Sequence, residues 1–151
     1  MKLQPLISES EISRTVSRLA EEIRSNHKGP VTLLSVLKGS ICFTADLMRE
    51  LDGEVKICST TISSYSGRLS GEISYDEPKP DDITNSHVII VEDIADTGKT
   101  LHYLVQQLSY MNPKTIQICV FLDKPSKRTI EAFDASAETN QFHIIHPHVV
   151  K

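Results

Sequence analysis

No stretch of this 151-residue chain approaches the roughly 18 consecutive apolar residues of a membrane-spanning helix, so a transmembrane protein is not expected. A basic block is missing as well. With 16 Lys and Arg against 20 Asp and Glu, the net charge is −4, which gives no electrostatic support to nucleic-acid or membrane partners. Cysteine is scarce: Cys42, Cys58 and Cys119 lie far apart in apolar segments, none in a C-x-x-C pair. That pattern excludes a disulfide framework and a cysteine zinc site, and predicts reduced, buried structural thiols. The amino terminus, Met1-Lys2-Leu3-Gln4-Pro5, has neither the apolar core nor the small-residue cleavage site of a secretory signal, so the expectation is a cytoplasmic protein. Internal repeats and low-complexity segments are also absent. What is present, 39% hydrophobic and 24% charged residues, is ordinary for one soluble domain with a core of its own over residues 1–151.

The hydrophobic pattern alternates between helical and strand periods. Ser8 and Glu11 form an S-x-x-E capping box, and Ile12, Val16, Leu19 and Ile23 follow at helical spacing, which predicts a helix over 9–26. Gly29-Pro30 ends it. Val31 to Val36 reads as a short buried strand, 37–40 as a turn, Ile41 to Leu51 as a helix, and Val55 to Ile62 as a second strand. Residues 63–85 are polar and carry no sustained period, and a stretch of that length inside a compact domain reads as a functional loop or lid. A strand at 88–92, a helix at 98–111 stopped by Asn112-Pro113, and a strand at 116–122 complete the clear pattern. Strands alternating with helices imply an α/β fold with a mostly parallel sheet flanked by helices. Beyond Pro125 the pattern weakens: 126–137 reads as a short helix, and 142–150 mixes apolar residues with histidines.

The segment richest in chemistry is Val88-Ile89-Ile90-Val91-Glu92-Asp93-Ile94-Ala95-Asp96-Thr97-Gly98-Lys99-Thr100. Four consecutive β-branched residues describe a strand buried on both faces, and its carboxyl end is where open α/β sheets place their ligands. The Thr-Gly-Lys-Thr turn then offers backbone N–H groups at a helix N-terminus, which suits a phosphate. Carboxylates beside such a cradle repel the phosphate unless a cation or ribose hydroxyls engage them, so the segment points to a sugar phosphate with Mg²⁺. A Walker A loop would need glycine five positions before Gly98, and position 93 is aspartate.

Val91-Glu92-Asp93-Ile94-Ala95-Asp96-Thr97-Gly98-Lys99-Thr100 resembles the signature of the phosphoribosyltransferases that bind phosphoribosyl pyrophosphate (PRPP), in the form found in the hypoxanthine/guanine branch. The resemblance runs from about Pro5 to about Arg128, with a core at about 5–125, and implies the type I phosphoribosyltransferase fold. It implies that Glu92 and Asp93 meet the ribose hydroxyls and the Mg²⁺ region, and that Asp96 is the catalytic base. It also implies that Asp96, Thr97, Gly98, Lys99 and Thr100 hold the 5′-phosphate. Lys38-Gly39, in a Ser-Val-Leu-Lys-Gly-Ser turn, corresponds to the pyrophosphate-binding turn, which in that family often carries a non-proline cis peptide. Ser64 and Tyr65 resemble the start of the family's lid. Lys124, in Asp123-Lys124-Pro125, resembles the lysine that reads the exocyclic oxygen of a 6-oxopurine, with Ile94 also at the base. The implied reaction joins a 6-oxopurine base to PRPP, releasing a nucleoside monophosphate and pyrophosphate in a homo-oligomer, a dimer or tetramer.

The tail from about 126 to 151 departs from the family, whose members continue into a hood that stacks on the base, and no residue here is assigned to that stacking. A small or incomplete hood predicts a protein that binds PRPP better than purine; a tail folded into a substitute hood, with Phe142 or a histidine on the base, is the alternative. His143, His146 and His148 lack the spacing of a metal motif and read as a polar tail. Two further functions compete with the enzyme: a non-catalytic PRPP or nucleotide sensor, and a phosphoribosyltransferase for another base. The Glu92-Asp93-Asp96 set weighs against the sensor, which has no need of a base at Asp96.

Overall fold

The computed structural model describes residues 6–64, 73–127 and 129, together with the backbone of 142–145 and 148–149. Its elements are α1 (Glu9–Asn26), β1 (Val31–Leu37), α2 (Ile41–Glu50), β2 (Val55–Ser64), β3 (Ile73–Tyr75), α3 (Pro80–Ile83), β4 (His87–Ala95), α4 (Lys99–Ser109), β5 (Thr115–Asp123), β6 (Phe142–Ile145) and β7 (His148–Val149). The strands form one sheet in the order β3-β2-β1-β4-β5-β6, with β7 also pairing β5. All pairings are parallel except β2 with β3. This is the α/β fold with a mostly parallel, helix-flanked sheet that the sequence predicts.

Alternation along the strands divides the core in two. Leu33, Ile89, Val91 and Cys119 pack with Leu19, Ile23 and Leu47 of α1 and α2. Leu34, Ile90, Ile116 and Ile118 pack with Leu104 and Leu108 of α4. Each such side chain taken fully out of water contributes about 1.5–3 kcal/mol, so the central strands are held from both faces. The capping box starts α1 as its sequence implies: Glu11 N–H donates to Ser8 Oγ at 3.3 Å, and Ser8 N–H to Glu11 Oε2 at 2.8 Å.

Three differences from the sequence reading have physical causes. First, β4 runs on through Asp93, Ile94 and Ala95, because β5 continues beside it, with Ile94 opposite Leu122 and Ala95 opposite Asp123. Second, 63–85 is not without structure. β3 pairs back on β2, where Asp76 is clamped: its N–H donates to the Thr61 carbonyl at 3.0 Å, and its Oδ2 accepts from Thr61 Oγ1 at 2.9 Å. Lys56 Nζ, 2.7 Å from Asp82 Oδ1, holds α3 against β2. Third, β6 and β7 extend the sheet beyond β5, although their sequence carries no clean alternation. The helix expected at 126–137 lies largely outside the described residues; a 3₁₀ turn occupies Pro125–Lys127.

The cysteines need one correction. Cys119 is buried and Cys58 half-buried, but Cys42 is exposed. The inner face of α2 is formed by Phe43, Thr44 and Leu47, which turns position 42 outward. Burial pushes the Cys58 thiol up to about 12 and raises Cys119 as well. A thiol-specific reagent at neutral pH is therefore expected to label one cysteine in the native protein, Cys42, and all three after unfolding. Native labelling of Cys58 or Cys119 at a similar rate would contradict the packing.

Candidate active site

The residues singled out in the sequence gather at the carboxyl ends of β1, β4 and β5. β1 ends in the Leu37-Lys38-Gly39-Ser40 turn, and the Leu37–Lys38 peptide is cis without proline, as the resemblance led one to expect. Beneath the turn lies a set of buried hydroxyls that the sequence reading missed. Ser35 Oγ is 2.8 Å from both Ser40 Oγ and Thr44 Oγ1. Ser40 donates to the Val36 carbonyl at 2.6 Å and Thr44 to the Ser40 carbonyl at 2.8 Å. With two of the three hydroxyl protons committed to carbonyls, the one Ser35 proton goes to one of the two neighbouring hydroxyl oxygens, and each of the three hydroxyls has a partner. The network fastens the last residues of β1 to the first turn of α2 and so fixes the turn between them. A serine between Leu34 and Val36 in a largely apolar strand, with hydroxyls five and nine positions on, was the available signal.

Glycine at 39 is required by close approach. A Cβ there would lie 2.6 Å from Asp93 Oδ2 and 3.1 Å from its Cγ, so the turn sits directly on the Asp93 carboxylate. That carboxylate is itself fixed, accepting from the Ile94 amide through Oδ1 at 2.8 Å. Glu92 Oε1 in turn accepts from the Asp93 amide at 2.9 Å. Burial, and then a hydrogen bond to the Asp93 side chain, push the Glu92 carboxyl up to about 8, against the pull of the Asp93 amide. Two adjoining carboxyl groups, one of them reluctant to ionise, suit a site where a divalent cation or donor hydroxyls supply the missing partner. No group of three metal-ligating side chains occurs among the described residues.

After Ala95 the chain leaves the sheet and enters α4 through Gly98, whose φ of +85° is a left-handed conformation that side chains resist. Position 98 offers α4 no capping side chain, and the Lys99 amide donates instead to Thr97 Oγ1 at 3.4 Å. Glu92, Ile94, Ala95, Asp96, Thr97, Gly98, Thr100 and Leu101 line an open cleft of about 120 Å³ at this point. Asp96 is exposed, and its carboxylate has no hydrogen-bond or ion-pair partner among the described residues. Ile94 is 37% exposed, an apolar side chain left uncovered at the rim of the sheet.

Lys124, half-buried, follows directly on β5, and its amide donates to the Ala95 carbonyl at 2.9 Å, placing it beside the Asp96 loop. β7 runs along the same edge, with His148 opposite Leu122 and Val149 opposite Asp123. Ser64 closes β2, paired with Ile73, at the start of the segment leading to β3. Tyr65, His146 and Arg128 lie outside the described residues. No helix among the described residues is long and apolar enough to cross a membrane.

A mostly parallel sheet thus carries an acidic strand end, a glycine-capped helix start and a glycine turn packed on a carboxylate, the setting of a candidate phosphate-ligand site. Residues 8–147 match the phosphoribosyl transferase domain model, and the chain belongs to that family. Within it, the chain is similar to the hypoxanthine/guanine enzymes. It is 41% identical over 133 residues to hypoxanthine phosphoribosyltransferase of Buchnera aphidicola subsp. Schizaphis graminum, covering 85% of this chain and 75% of the relative. It is 37% identical over 126 residues to the hypoxanthine-guanine phosphoribosyltransferase of Bacillus subtilis, covering 82% and 70%. Among solved structures, a Bacillus anthracis hypoxanthine-guanine phosphoribosyltransferase superposes with a TM-score of 0.83 at 32% identity, over 100% of this chain and 85% of that one.

Proposed function

We propose that this protein transfers the phosphoribosyl group of PRPP to hypoxanthine or guanine, giving the nucleoside monophosphate and pyrophosphate in purine salvage. The observation that carries the reading is the packing of the Gly39 turn on the Asp93 carboxylate. It unites in one place the two segments that would hold the pyrophosphate and the ribose.

In this reading, the amides from Asp96 to Thr100, with the Thr97 and Thr100 hydroxyls, bind the 5′-phosphate at the start of α4. Glu92 and Asp93 accept from the ribose hydroxyls and face the metal. When bound, Mg²⁺ neutralises the pyrophosphate and makes it a better leaving group. The Lys38-Gly39 turn receives the pyrophosphate with backbone N–H groups and one lysine charge. Asp96 accepts the proton of the purine as its ring nitrogen closes on the anomeric carbon; its carboxylate is uncommitted, whereas those of Glu92 and Asp93 are engaged by backbone amides. Lys124 donates to the exocyclic oxygen of the 6-oxopurine, which gains electron density as the ring loses its proton. The uncovered Ile94 offers the base an apolar surface. Ser64 and Tyr65 begin a lid that excludes water from the reacting sugar.

β7 supports a part for the tail in the base site, because its backbone lies along the two β5 residues that precede Lys124. A Trypanosoma cruzi hypoxanthine phosphoribosyltransferase structure, with a TM-score of 0.78 at 30% identity over 95% of this chain and 78% of that one, addresses the role of that protein's C-terminal region in oligomeric state and activity. In this reading the protein acts as a homo-oligomer, a dimer or tetramer, and β7 brings the tail to the edge of the base site. Ending the chain after Thr129 should weaken base binding by roughly 5- to 150-fold, the worth of a lost stacking surface, while PRPP binding stays near that of the full chain. Equal base affinity in the two proteins would return the tail to the role of an incomplete hood.

Lys124→Ala should raise the KM for the base by about tenfold or more and leave that for PRPP unchanged, since the contact is to the base alone. An unchanged base KM would make Lys124 a surface residue. The function itself is tested by incubating the protein with Mg²⁺, PRPP and, one at a time, hypoxanthine, guanine, xanthine, adenine and uracil. Monophosphate formed from hypoxanthine or guanine is the expected result; turnover only of another base would reassign the substrate, and PRPP binding with no turnover of any base would favour the sensor.

A further inference from the structure

Behind the phosphate loop, on the side facing the end of β5, the backbone carbonyls of alternate residues are held. The Ala95 carbonyl accepts from the Lys124 amide at 2.9 Å. The Thr97 carbonyl accepts from the Thr129 amide at 3.1 Å, with the Thr129 hydroxyl at 3.5 Å from the same oxygen. The segment from 124 to 129 is drawn together by its own turn, the Lys127 amide donating to the Lys124 carbonyl at 3.0 Å, so both contacts come from one short piece of chain.

A trans peptide directs its C=O and the following N–H to opposite sides. The peptides after Ala95 and Thr97 are trans, the one cis bond among the described residues being Leu37–Lys38. Fixing the Ala95 and Thr97 carbonyls on the β5 side therefore turns the Asp96 and Gly98 amides away from it. Gly98 is the residue least able to hold its own conformation, since its left-handed φ is one of many that glycine adopts. An outside anchor on the peptide that enters Gly98 restricts that freedom before any ligand arrives.

We infer that Thr129 is a positioning residue for the 5′-phosphate, its amide bracing the Thr97 carbonyl so that the Gly98 N–H is aimed at the anion in advance. The inference rests on the assignment of the 96–100 loop to the 5′-phosphate and adds to it a residue more than thirty positions away that touches no substrate. Because the hydroxyl contact is the longer of the two, the amide carries most of the effect.

The test measures ribose 5-phosphate and Mg²⁺-pyrophosphate separately by titration calorimetry, the first probing the loop and the second the Lys38 turn. Thr129→Pro removes the amide donor and is expected to weaken ribose 5-phosphate about tenfold, Thr129→Val about twofold, and Thr129→Ser hardly at all. Pyrophosphate affinity should stay within about twofold throughout, and in turnover the PRPP KM should rise in Thr129→Pro while kcat at saturation holds. Ribose 5-phosphate bound by Thr129→Pro as tightly as by the native protein would overturn the brace, and so would a parallel loss of both ligands, which signals general damage. Failure of the native protein to bind ribose 5-phosphate at all would instead overturn the loop assignment and take the brace with it. Should Thr129→Pro not fold, hydrogen exchange in the native protein decides: the Thr129 amide is expected to be protected and to slow further with ribose 5-phosphate. A fast, ligand-indifferent amide would contradict the brace.

Discussion

Asp96→Asn is expected to lower kcat by roughly 10²–10⁴-fold with little change in PRPP affinity, the range associated with loss of a general base. The substitution keeps the shape of the side chain and the loop around it, because the loop is held by backbone contacts at Ala95 and Thr97 that do not involve the carboxylate. What the amide cannot do is accept the purine proton as the new bond forms. Neighbouring carboxylates do not substitute for it: Asp93 is tied to the Ile94 amide and lies under the Gly39 turn, and Glu92 is tied to the Asp93 amide. Pre-steady-state measurement of the chemical step, alongside PRPP titration, checks the result. A loss of PRPP affinity as large as the loss of rate would mean that Asp96 positions the substrate and does not serve as base.

Gly39→Ala has the second largest expected effect, and it acts on binding. The added methyl would stand 2.6 Å from Asp93 Oδ2, closer than nonbonded atoms tolerate, and a tight 3.3 Å from Oδ1. Asp93 is not a loose side chain that can swing aside, since rotating it breaks the 2.8 Å bond from the Ile94 amide. Nor can the turn retreat freely, being fastened below by the Ser35, Ser40 and Thr44 hydroxyls. Overpacking of this kind costs about 1–3 kcal/mol, or roughly 5- to 150-fold in PRPP affinity if the strain is relieved by moving the turn. Gly29→Ala is the control, because a Cβ at 29 meets nothing within 4 Å. Calorimetric binding of PRPP with Mg²⁺ to both variants reads the difference. Native affinity in Gly39→Ala would show that the turn can open without cost and would weaken its assignment to the pyrophosphate.

Where the sequence could be read, one signal was strong enough to override local ambiguity. The β-branched run 88–91 and the carboxylates after it set both a buried parallel strand and the chemistry at its end, and β4 lies at the centre of the sheet. Helices were legible where capping and period agreed, as in α1. What escaped depended on distant partners. β3 exists because Thr60 and Thr61 hold Asp76 from across the hairpin, with Thr60 Oγ1 2.7 Å from the Asp76 carbonyl, and neither residue marks a strand by itself. β7 is two residues long, too short to carry a period, and is defined by the β5 edge it pairs with. The exposure of Cys42 likewise follows from which face α2 turns to the sheet, a choice made by Phe43 and Leu47 and not by the cysteine. Thr129 had no signal at all: a backbone amide bracing a backbone carbonyl leaves no mark on residue type.

The most direct measurement follows phosphorus by NMR while the protein acts on PRPP and hypoxanthine with Mg²⁺. One inorganic pyrophosphate and one nucleoside 5′-monophosphate should appear for each PRPP consumed, with no ribose 5-phosphate accumulating and both product signals nearly lost in Asp96→Asn. Pyrophosphate released with ribose 5-phosphate and no monophosphate, or PRPP left intact in the presence of base, would contradict phosphoribosyl transfer to the purine.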